Sequence, residues 1–266
     1  MKFFFCTALV GDYDFLPAPK WAKKNKDFRF ICFTDQKKIN PFWEKRNLPK
    51  TVSNYSKLLK HKYVKVFCDK IINENGIYIW IDANIYMKEG FEEIIEQFYK
   101  SSDLFLFIKH PLRKNIKQEA KALANSKYRG DLDKINLINE QIKIYERDGF
   151  DCEKDLLIEA NVFMRKSNNL IVEKSMNLWW EQIMQFPARD QISLPYVLSE
   201  IDPIFSVFDI GSRKDNRYFN HYGHKSHNIK DIHAYLYSKR HIGIFKFALF
   251  FWQPLHNIIN KYFYNK

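Results

Sequence analysis

Short apolar runs alternate with longer stretches of helical periodicity along the first two hundred residues. Lys2–Val10 and Phe28–Thr34 are dense in Phe, Ile and Cys, which is typical of buried strands. Asn54–Asn73 repeats its apolar residues every three or four positions, which predicts an amphipathic helix that Asn75-Gly76 brings to an end. Alternation of this kind predicts an α/β domain with a mainly parallel sheet flanked by helices.

The same alternation continues along the chain. Further strands are predicted over Ile77–Ile81, Asp103–Ile108 and Leu156–Met164. Further helices are predicted over Phe91–Tyr99, Ile116–Phe150, Asn169–Gln185 and Gln191–Glu200. Apolar residues make up 46% of the 266 residues, which is enough to bury the core of such a domain and excludes a mainly disordered chain.

Charge and cysteine content limit the classes of function. The formal charge of +12 favours polyanionic partners such as nucleic acid, anionic lipid or phosphate-bearing substrates. The four cysteines lack C-x-x-C spacing, which predicts reduced, buried thiols and not a structural zinc site. The first ten residues lack the features of a secretory signal, and no run approaches the roughly 20 apolar residues of a bilayer span. We therefore expect a cytoplasmic protein, soluble or peripheral at the inner face of the cytoplasmic membrane.

Residues 238–266 differ in composition from the rest. They combine lysine and arginine with many aromatic residues and contain no acidic residue. A basic, aromatic segment too short to span a bilayer is typical of one that lies in the membrane interface. The alternative is a C-terminal helix packed on the domain. We predict a catalytic domain over 1–237 and a helical tail over 238–266 that binds an anionic membrane surface.

The most informative local feature is Asp82-Ala83-Asn84, directly after the predicted strand Ile77–Ile81. A side chain at the carboxyl end of a strand enters the crevice in which α/β sheets bind ligands. Carboxylate and amide oxygens suit Mg²⁺ or Mn²⁺, which often bridge a protein to a diphosphate. The pattern indicates a metal site at Asp82 and Asn84. The alternative is that Asp82 caps the next helix.

An Asp-x-Asn sequence after such a strand resembles a variant of the Asp-x-Asp motif of GT-A glycosyltransferases. Other segments, in order along about residues 5–200, resemble the bacterial and plant glycosyltransferase-like family typified by the plant mucilage-related proteins. The matching pieces are Thr7-Ala8, Gly11-Asp12-Tyr13-Asp14, Cys32-Phe33-Thr34-Asp35, Lys57 with His61, His110-Pro111 with Arg113, Glu119, Gln141 with Tyr145, Gly149-Phe150, Leu157 with Glu159, Asn161 and Arg165, Trp179-Trp180, and Arg189-Asp190-Gln191-Ile192-Ser193. Of these, Arg189-Asp190-Gln191 also resembles the Asp-Gln-Asp segment of family 8 retaining glycosyltransferases.

The resemblance implies a GT-A-like (Rossmann-type) fold and a metal-dependent enzyme. Its donor would be a nucleotide-diphosphate-sugar, and its acceptor a cell-surface glycan or lipid-linked glycan of the lipopolysaccharide or capsule type. The departing diphosphate needs its charge neutralised, which Mn²⁺ or Mg²⁺ at Asp82 would do in part. GT-A enzymes often close the metal site with a late histidine, and of His221, His224 and His227 we choose His224, with Lys225 on the phosphate.

The resemblance also assigns roles to other residues. The implied nucleotide-binding residues are Thr7, Ala8, Tyr13, Asp35, Lys57 and His61. The implied sugar- and acceptor-binding residues are His110, Arg113, Asn161 and Arg189. The implied catalytic or sugar-facing residues are Glu159, Asp190 and Gln191.

Structural interpretations stay open for several of these residues. Glu159 and Asn161 alternate along one predicted strand and therefore share a face, where Glu159 could instead pair with Arg165 or Arg189. Asp190 could cap the helix that follows it.

The remaining basic groups allow a similar choice. Lys57 and His61 lie four residues apart, on one helical face, and could be an exposed pair without a ligand. The histidine-rich segment 220–227 could be a surface loop. A nucleic-acid-binding protein and a peripheral membrane scaffold are the alternative functions. Dispersed basic residues without a recognition motif argue against nucleic acid.

Overall fold

The computed structural model describes residues 1–11, 14, 16–126, 130–186, 189–213, 215–222 and 251–252. The strands of this part are β1 (Phe3–Leu9), β2 (Phe28–Thr34), β3 (Glu44–Asn47), β4 (Ile77–Ile81), β5 (Ile85–Met87), β6 (Phe105–Lys109), β7 (Ile158–Lys166), β8 (Phe205–Phe208) and β9 (Phe219–His221). Its helices are α1 (Lys57–Ile72), α2 (Phe91–Lys100), α3 (Ile116–Asn125), α4 (Leu132–Arg147), α5 (Leu170–Gln185) and α6 (Asp190–Ile201), with 3₁₀ turns at Lys20–Lys24 and Lys50–Val52.

Seven of the strands form one sheet, in the order β3-β2-β1-β4-β7-β6-β8. Neighbours pair in parallel except at β7, which runs antiparallel to both β4 and β6. The remaining two, β5 and β9, form a separate antiparallel pair. The predicted GT-A-like α/β fold, with a mainly parallel sheet flanked by helices, is confirmed.

The sheet is buried on both faces, and its central strand β4 consists entirely of buried apolar residues. Along β1, Phe4 and Cys6 pack into one apolar cluster and Phe5 and Leu9 into the other. The first cluster includes apolar residues of α1, α3, α4, α5 and α6, and the second those of α2. All four cysteines are buried and free, as predicted.

The predicted helical segment Ile116–Phe150 is two helices and not one. Asn115 caps α3, because its side chain accepts a hydrogen bond from the backbone N–H of Gln118 at 3.0 Å. Asp131 caps α4 in the same way, accepting from Lys134 at 3.2 Å. A second N-cap inside a helical pattern is a start signal, which the periodicity alone did not separate.

Helix α1 ends earlier than predicted. Asn73, and not Gly76, takes the left-handed conformation at its C-cap, with φ 55°. Gly76 is needed for another reason: a Cβ there would lie 2.5 Å from the backbone oxygen of Lys2 and 2.7 Å from the ring of Phe4.

Gly76→Ala is therefore expected to lower the free energy of unfolding by roughly 1–3 kcal/mol, because backbone and a core ring must move to admit the methyl group. Urea unfolding measures the difference. The neighbouring, exposed Asn75→Ala is the control, expected within about 0.5 kcal/mol of the parent. Equal effects of the two substitutions would contradict the close approach.

The predicted tail, 238–266, lies outside the described residues apart from 251–252. Among the helices that the structure describes, none is long and apolar enough to cross a membrane. Membrane binding by the tail stays a prediction.

Candidate active site

A cleft of about 640 Å³ opens at the carboxyl ends of β1 and β4, beside the first half of α1. Carboxyl ends of parallel strands are where ligands bind in sheets of this kind. The lining residues come from seven parts of the chain: Ala8 to Gly11, Asp14, Lys57 to Lys65 on one face of α1, Asp82 with Asn84, Asn161, Arg189 with Asp190, and Arg213 with His221.

Asp82 enters this cleft from a tight turn directly after β4. Its backbone N–H donates to the carbonyl of Asn161 at 2.8 Å, and its carbonyl accepts from Ile85 at 3.0 Å. The indole N–H of Trp80 donates to Asp82 Oδ1 at 2.8 Å, which fixes the carboxylate. The turn leads into β5 and not into a helix, so the alternative role of Asp82 as a helix cap is wrong.

Lys65 lies between two carboxylates. Its Nζ is 3.1 Å from Asp190 Oδ2 and 3.5 Å from Asp82 Oδ1, and its side chain is only 5% exposed. Although burial opposes the charge, the two carboxylates raise the pKa of Lys65 above its ordinary value. Burial also opposes ionisation of Asp190, but Lys65 and Lys62 outweigh it and hold the pKa of that carboxyl far below its usual range.

Asp190 is the first residue of α6, whose N-cap is Arg189. The alternative in which Asp190 itself is the N-cap is therefore wrong by one position. Its carboxylate points to Lys65 and the cleft, while its backbone carbonyl accepts from Trp179 Nε1 at 3.1 Å and from Ser193 Oγ at 3.0 Å. The helix start thus orients the carboxylate without using it as a cap.

Asn84 meets His221 across the β5–β9 pair. Asn84 Nδ2 and His221 Nε2 are 3.2 Å apart, and the N–H of Tyr222 donates to the carbonyl of Asn84 at 2.8 Å. His224 and Lys225, the predicted metal and phosphate ligands, lie outside the described residues. His221 is the late histidine that the structure places in the cleft with Asp82 and Asn84.

The loop after β1 forms the opposite end of the cleft. The N–H of Gly11 donates to Asp35 Oδ1 at 2.8 Å, so Asp35 holds the loop that lines the cleft. Gly11 has φ 72°, and a Cβ there would lie 3.1 Å from Lys57 Nζ. The backbone and Lys57 therefore approach closely at the mouth of the cleft.

The other four predicted nucleotide-binding residues differ in their positions relative to the cleft. Ala8 lines the cleft, whereas Thr7 is fully buried in β1 and does not. Tyr13 lies outside the described residues. His61 lines the cleft beside Asp82, with Nε2 3.8 Å from Oδ1, and its burial lowers the pKa of the imidazole, so it is neutral at neutral pH.

Glu119, which is fully buried on α3, joins Arg113 and Arg189, two of the four predicted sugar- and acceptor-binding residues. One of its oxygens accepts from Arg113, and the other from Arg189 Nε at 3.1 Å. Arg113 Nη2 lies 3.0 Å from His110 Nε2. Burial, followed by the charge of Arg113, lowers the pKa of His110 to about 4, so this imidazole is neutral as well.

Glu159 is fully buried at the start of β7 and holds the loop after β8. Its Oε2 accepts from the N–H of Ser212 at 2.7 Å and from its hydroxyl at 2.6 Å, while Oε1 pairs with Arg213 Nε at 3.2 Å. The same hydroxyl oxygen lies 2.9 Å from Asn161 Oδ1, which confirms that Glu159 and Asn161 share a face.

The ion-pair partner suggested for Glu159 was wrong. Arg165 pairs with Asp69 and Arg189 with Glu119, whereas Glu159 pairs with Arg213. Glu159 does not line the cleft, although Asn161 does.

Gln191 lies between two arginines. Its Oε1 accepts from Arg189 and from Arg213 Nη2, the latter at 3.1 Å, and its amide donates to the carbonyl of Ile158 at 3.0 Å. With both ends of the amide occupied, Gln191 orients its neighbours and is not itself among the lining residues.

Sequence reasoning missed three cationic contributors to the cleft, Lys62, Lys65 and Arg213, and it preferred His224 to His221 as the late histidine. For Lys65 a signal was present, since Lys57, His61 and Lys65 repeat every four residues along one face of α1. Arg213 and Ser212 had none, because only the folded sheet brings the loop after β8 to the start of β7.

The mainly parallel α/β sheet places an acidic turn after β4 in a cleft that also holds cationic side chains. Residues 53–224, well over half of the chain, match the family described as TOD1/MUCI70, glycosyltransferase-like domain. The chain belongs to this family, and the resemblance stated from its sequence is confirmed.

Solved structures of similar fold share little sequence with this chain. Mouse xyloside xylosyltransferase 1, in its apo form, is 9% identical with a TM-score of 0.42, over 78% of this chain and 84% of that one. A197 from STIV is 11% identical with a TM-score of 0.35, over 79% and 82%. The galactosyltransferase LgtC, in complex with donor and acceptor sugar analogues, is 9% identical with a TM-score of 0.40, over 78% and 73%. Comparison with curated proteins gives no match.

Proposed function

We propose that this protein transfers a sugar from a nucleotide-diphosphate-sugar to a glycan acceptor, with Mn²⁺ or Mg²⁺ as cofactor. One observation carries the proposal: a single cleft joins a carboxylate turn, an amide–imidazole pair and a row of cations on α1. An anionic donor with a divalent ion requires this combination of groups. Family membership supports the same reaction class.

The candidate metal ligands fit a hard divalent cation. Asp82 offers carboxylate oxygen, Asn84 an amide oxygen and His221 an imidazole nitrogen, a mixture that suits Mn²⁺ and also accepts Mg²⁺. Asn84 and His221 are already in contact at 3.2 Å. Among the residues that the structure describes, no three His, Cys, Asp or Glu side chains form a metal-binding group, so the amide of Asn84 is required for a three-ligand set.

The bound ion would offset the charge that develops on the diphosphate. The chain's own residues do the rest: Lys57 and Lys62 line the cleft where phosphate oxygens need cationic partners. Asp190 is kept ionised by Lys65 and can accept hydrogen bonds from donor-sugar hydroxyls. His61 lies beside Asp82 and adds a polar contact there. Because its imidazole is neutral, it does not compete with the metal ion for the charge of Asp82.

The acceptor and the place of action belong to the same proposal. A cell-surface glycan intermediate, presented at the inner face of the cytoplasmic membrane, would meet the basic protein at an anionic surface. The excess of 43 Lys and Arg over 31 Asp and Glu supports association with such a surface.

A thermal-shift panel tests the donor site. We expect UDP, GDP or CDP with MnCl₂ to raise Tm by about 5 °C when the ligand is 100-fold above its Kd, because it binds only the folded state. EDTA should remove most of the shift. No shift with any of the three diphosphates would count against the proposal.

A further inference from the structure

Three arginines converge at the end of the cleft away from Gly11. Arg113 follows β6, Arg189 precedes α6 and Arg213 follows β8; we call these three residues the arginine cluster. Glu119 joins the first two, and Gln191 joins the last two by accepting from both. Only Arg189 and Arg213 line the cleft itself.

The cluster carries more positive than negative charge. Two buried carboxylates, Glu119 and Glu159, face its three guanidinium groups. Burial lowers the pKa of Arg213, and the proximity of Arg189 lowers it further, whereas Glu159, Asp82 and Glu119 act in the opposite direction. His110 beside the cluster is neutral and therefore does not add to its positive charge.

The guanidinium groups retain donors for a ligand. Each has five N–H donors. Within the described residues, the contacts of Arg213 engage Nε with Glu159 and Nη2 with Gln191, and those of Arg189 engage Nε and Nη2. Terminal N–H groups on both side chains are thus available in a cleft that they line.

The order of strands separates the cluster from the donor site. The strands lie in the spatial order β2-β1-β4-β7-β6-β8 across the sheet. The loop after β1 and the turn after β4 form the proposed nucleotide and metal positions. Two members of the cluster come from the other side of β4, Arg113 after β6 and Arg213 after β8. Arg189, before α6, is held to them through Glu119 and Gln191. A donor that spans β1 to β4 leaves this side for the second substrate.

We infer that the arginine cluster binds an anionic group, a phosphate or a carboxylate, carried by the acceptor glycan. The identification of the ligand as the acceptor rests on the proposed glycosyl transfer, whereas the anion site itself does not. Paired guanidinium groups recognise both of these anions through forked N–H donors.

Calorimetric titration with inorganic phosphate and with glucuronate tests the site, with glucose as the uncharged control. We expect the wild type to bind both anions and not glucose, and Arg213→Gln to bind them at least tenfold more weakly, since a charged hydrogen-bond donor is lost. Lys57→Gln, at the proposed diphosphate position, should change the affinity for glucuronate less than twofold, because glucuronate carries no phosphate for Lys57 to bind.

Three outcomes would overturn the inference. Neither anion binds the wild type, Lys57→Gln alone weakens the binding of glucuronate, or Lys57→Gln and Arg213→Gln weaken it equally. If Arg213→Gln fails to fold by circular dichroism, Arg213→Lys decides. The lysine keeps a positive charge beside Glu159 but lacks the forked N–H donors of arginine. We therefore expect the affinity for the anions to fall at least threefold. An unchanged affinity would overturn the inference. Anion binding at the cluster without any response to nucleoside diphosphates would instead contradict the proposed glycosyl transfer alone.

Discussion

Asp82→Asn is expected to lower sugar transfer by roughly 100- to 1000-fold, the size of loss seen when one group that stabilises developing charge is removed. The substitution keeps an oxygen that can accept from Trp80 Nε1, so the turn after β4 is preserved while the carboxylate charge is lost. Release of nucleoside diphosphate, measured with the donor whose nucleotide gives the largest thermal shift, reports the effect.

The matched control is Asp155→Asn, the same chemical change at an exposed position outside the cleft. It should leave turnover within about twofold of the parent. Asp82→Asn should also require a higher Mn²⁺ concentration for half-maximal rate, because a ligand is weakened. Turnover by Asp82→Asn at a third or more of the parental rate would rule out a metal role for this carboxylate.

Lys65→Met is expected to lower the free energy of unfolding by roughly 3–5 kcal/mol, since it leaves two buried or half-buried carboxylates without their shared cation. Chemical unfolding at neutral pH measures the loss. Lys60→Met, on the same helix and half-buried, is the control and should fall within about 0.5 kcal/mol of the parent.

The loss should depend on pH in a stated direction. In the parent, the pKa of Asp190 is depressed, so its ionisation stabilises the fold above the unfolded value of about 3.9 and this contribution is lost as pH falls. The pKa of Lys65 is raised, so its contribution is fully present at neutral pH. Without Lys65, burial raises the pKa of Asp190 above its value in the parent, although Lys62 and Arg189 still lower it, and protonation then removes a buried charge. The difference between parent and variant should therefore narrow from pH 7 to pH 4.

The double substitution Lys65→Met with Asp190→Asn separates the pair from packing. Removing the stranded charge should recover part of the stability lost in Lys65→Met. If the double variant is no more stable than the single one, the loss comes from the helix and not from the ion pair.

The sequence predicts those parts of the fold whose signals are local. The limits of β2 and β4 agree with the prediction because apolar residues dominate both strands. Strand β3, with the sequence Glu44-Lys45-Arg46-Asn47, contains no apolar residue and could not be found by periodicity. Pairing with β2 alone makes it a strand.

The site divides in the same way. Asp82 was accessible to prediction because strand and motif are adjacent in the chain. The pair Lys65–Asp190 and the triad of Glu159, Ser212 and Arg213 join residues more than 50 positions apart, and no local pattern encodes them. Their placement depends on strand order, including the reversed direction of β7.

The contact between Asn84 and His221 affects when the proposed metal site forms during folding and when it is lost during unfolding. These side chains are 137 positions apart. Asn84 directly precedes β5 and His221 ends β9, and each of these two strands has three residues. This two-stranded pair joins segments that are far apart in the chain. We expect it to form after the main sheet, because distant contacts form slowly. We also expect it to open before the main sheet, because short elements separate at low cost. On heating, we therefore expect the proposed metal site to be lost at a lower temperature than the main sheet.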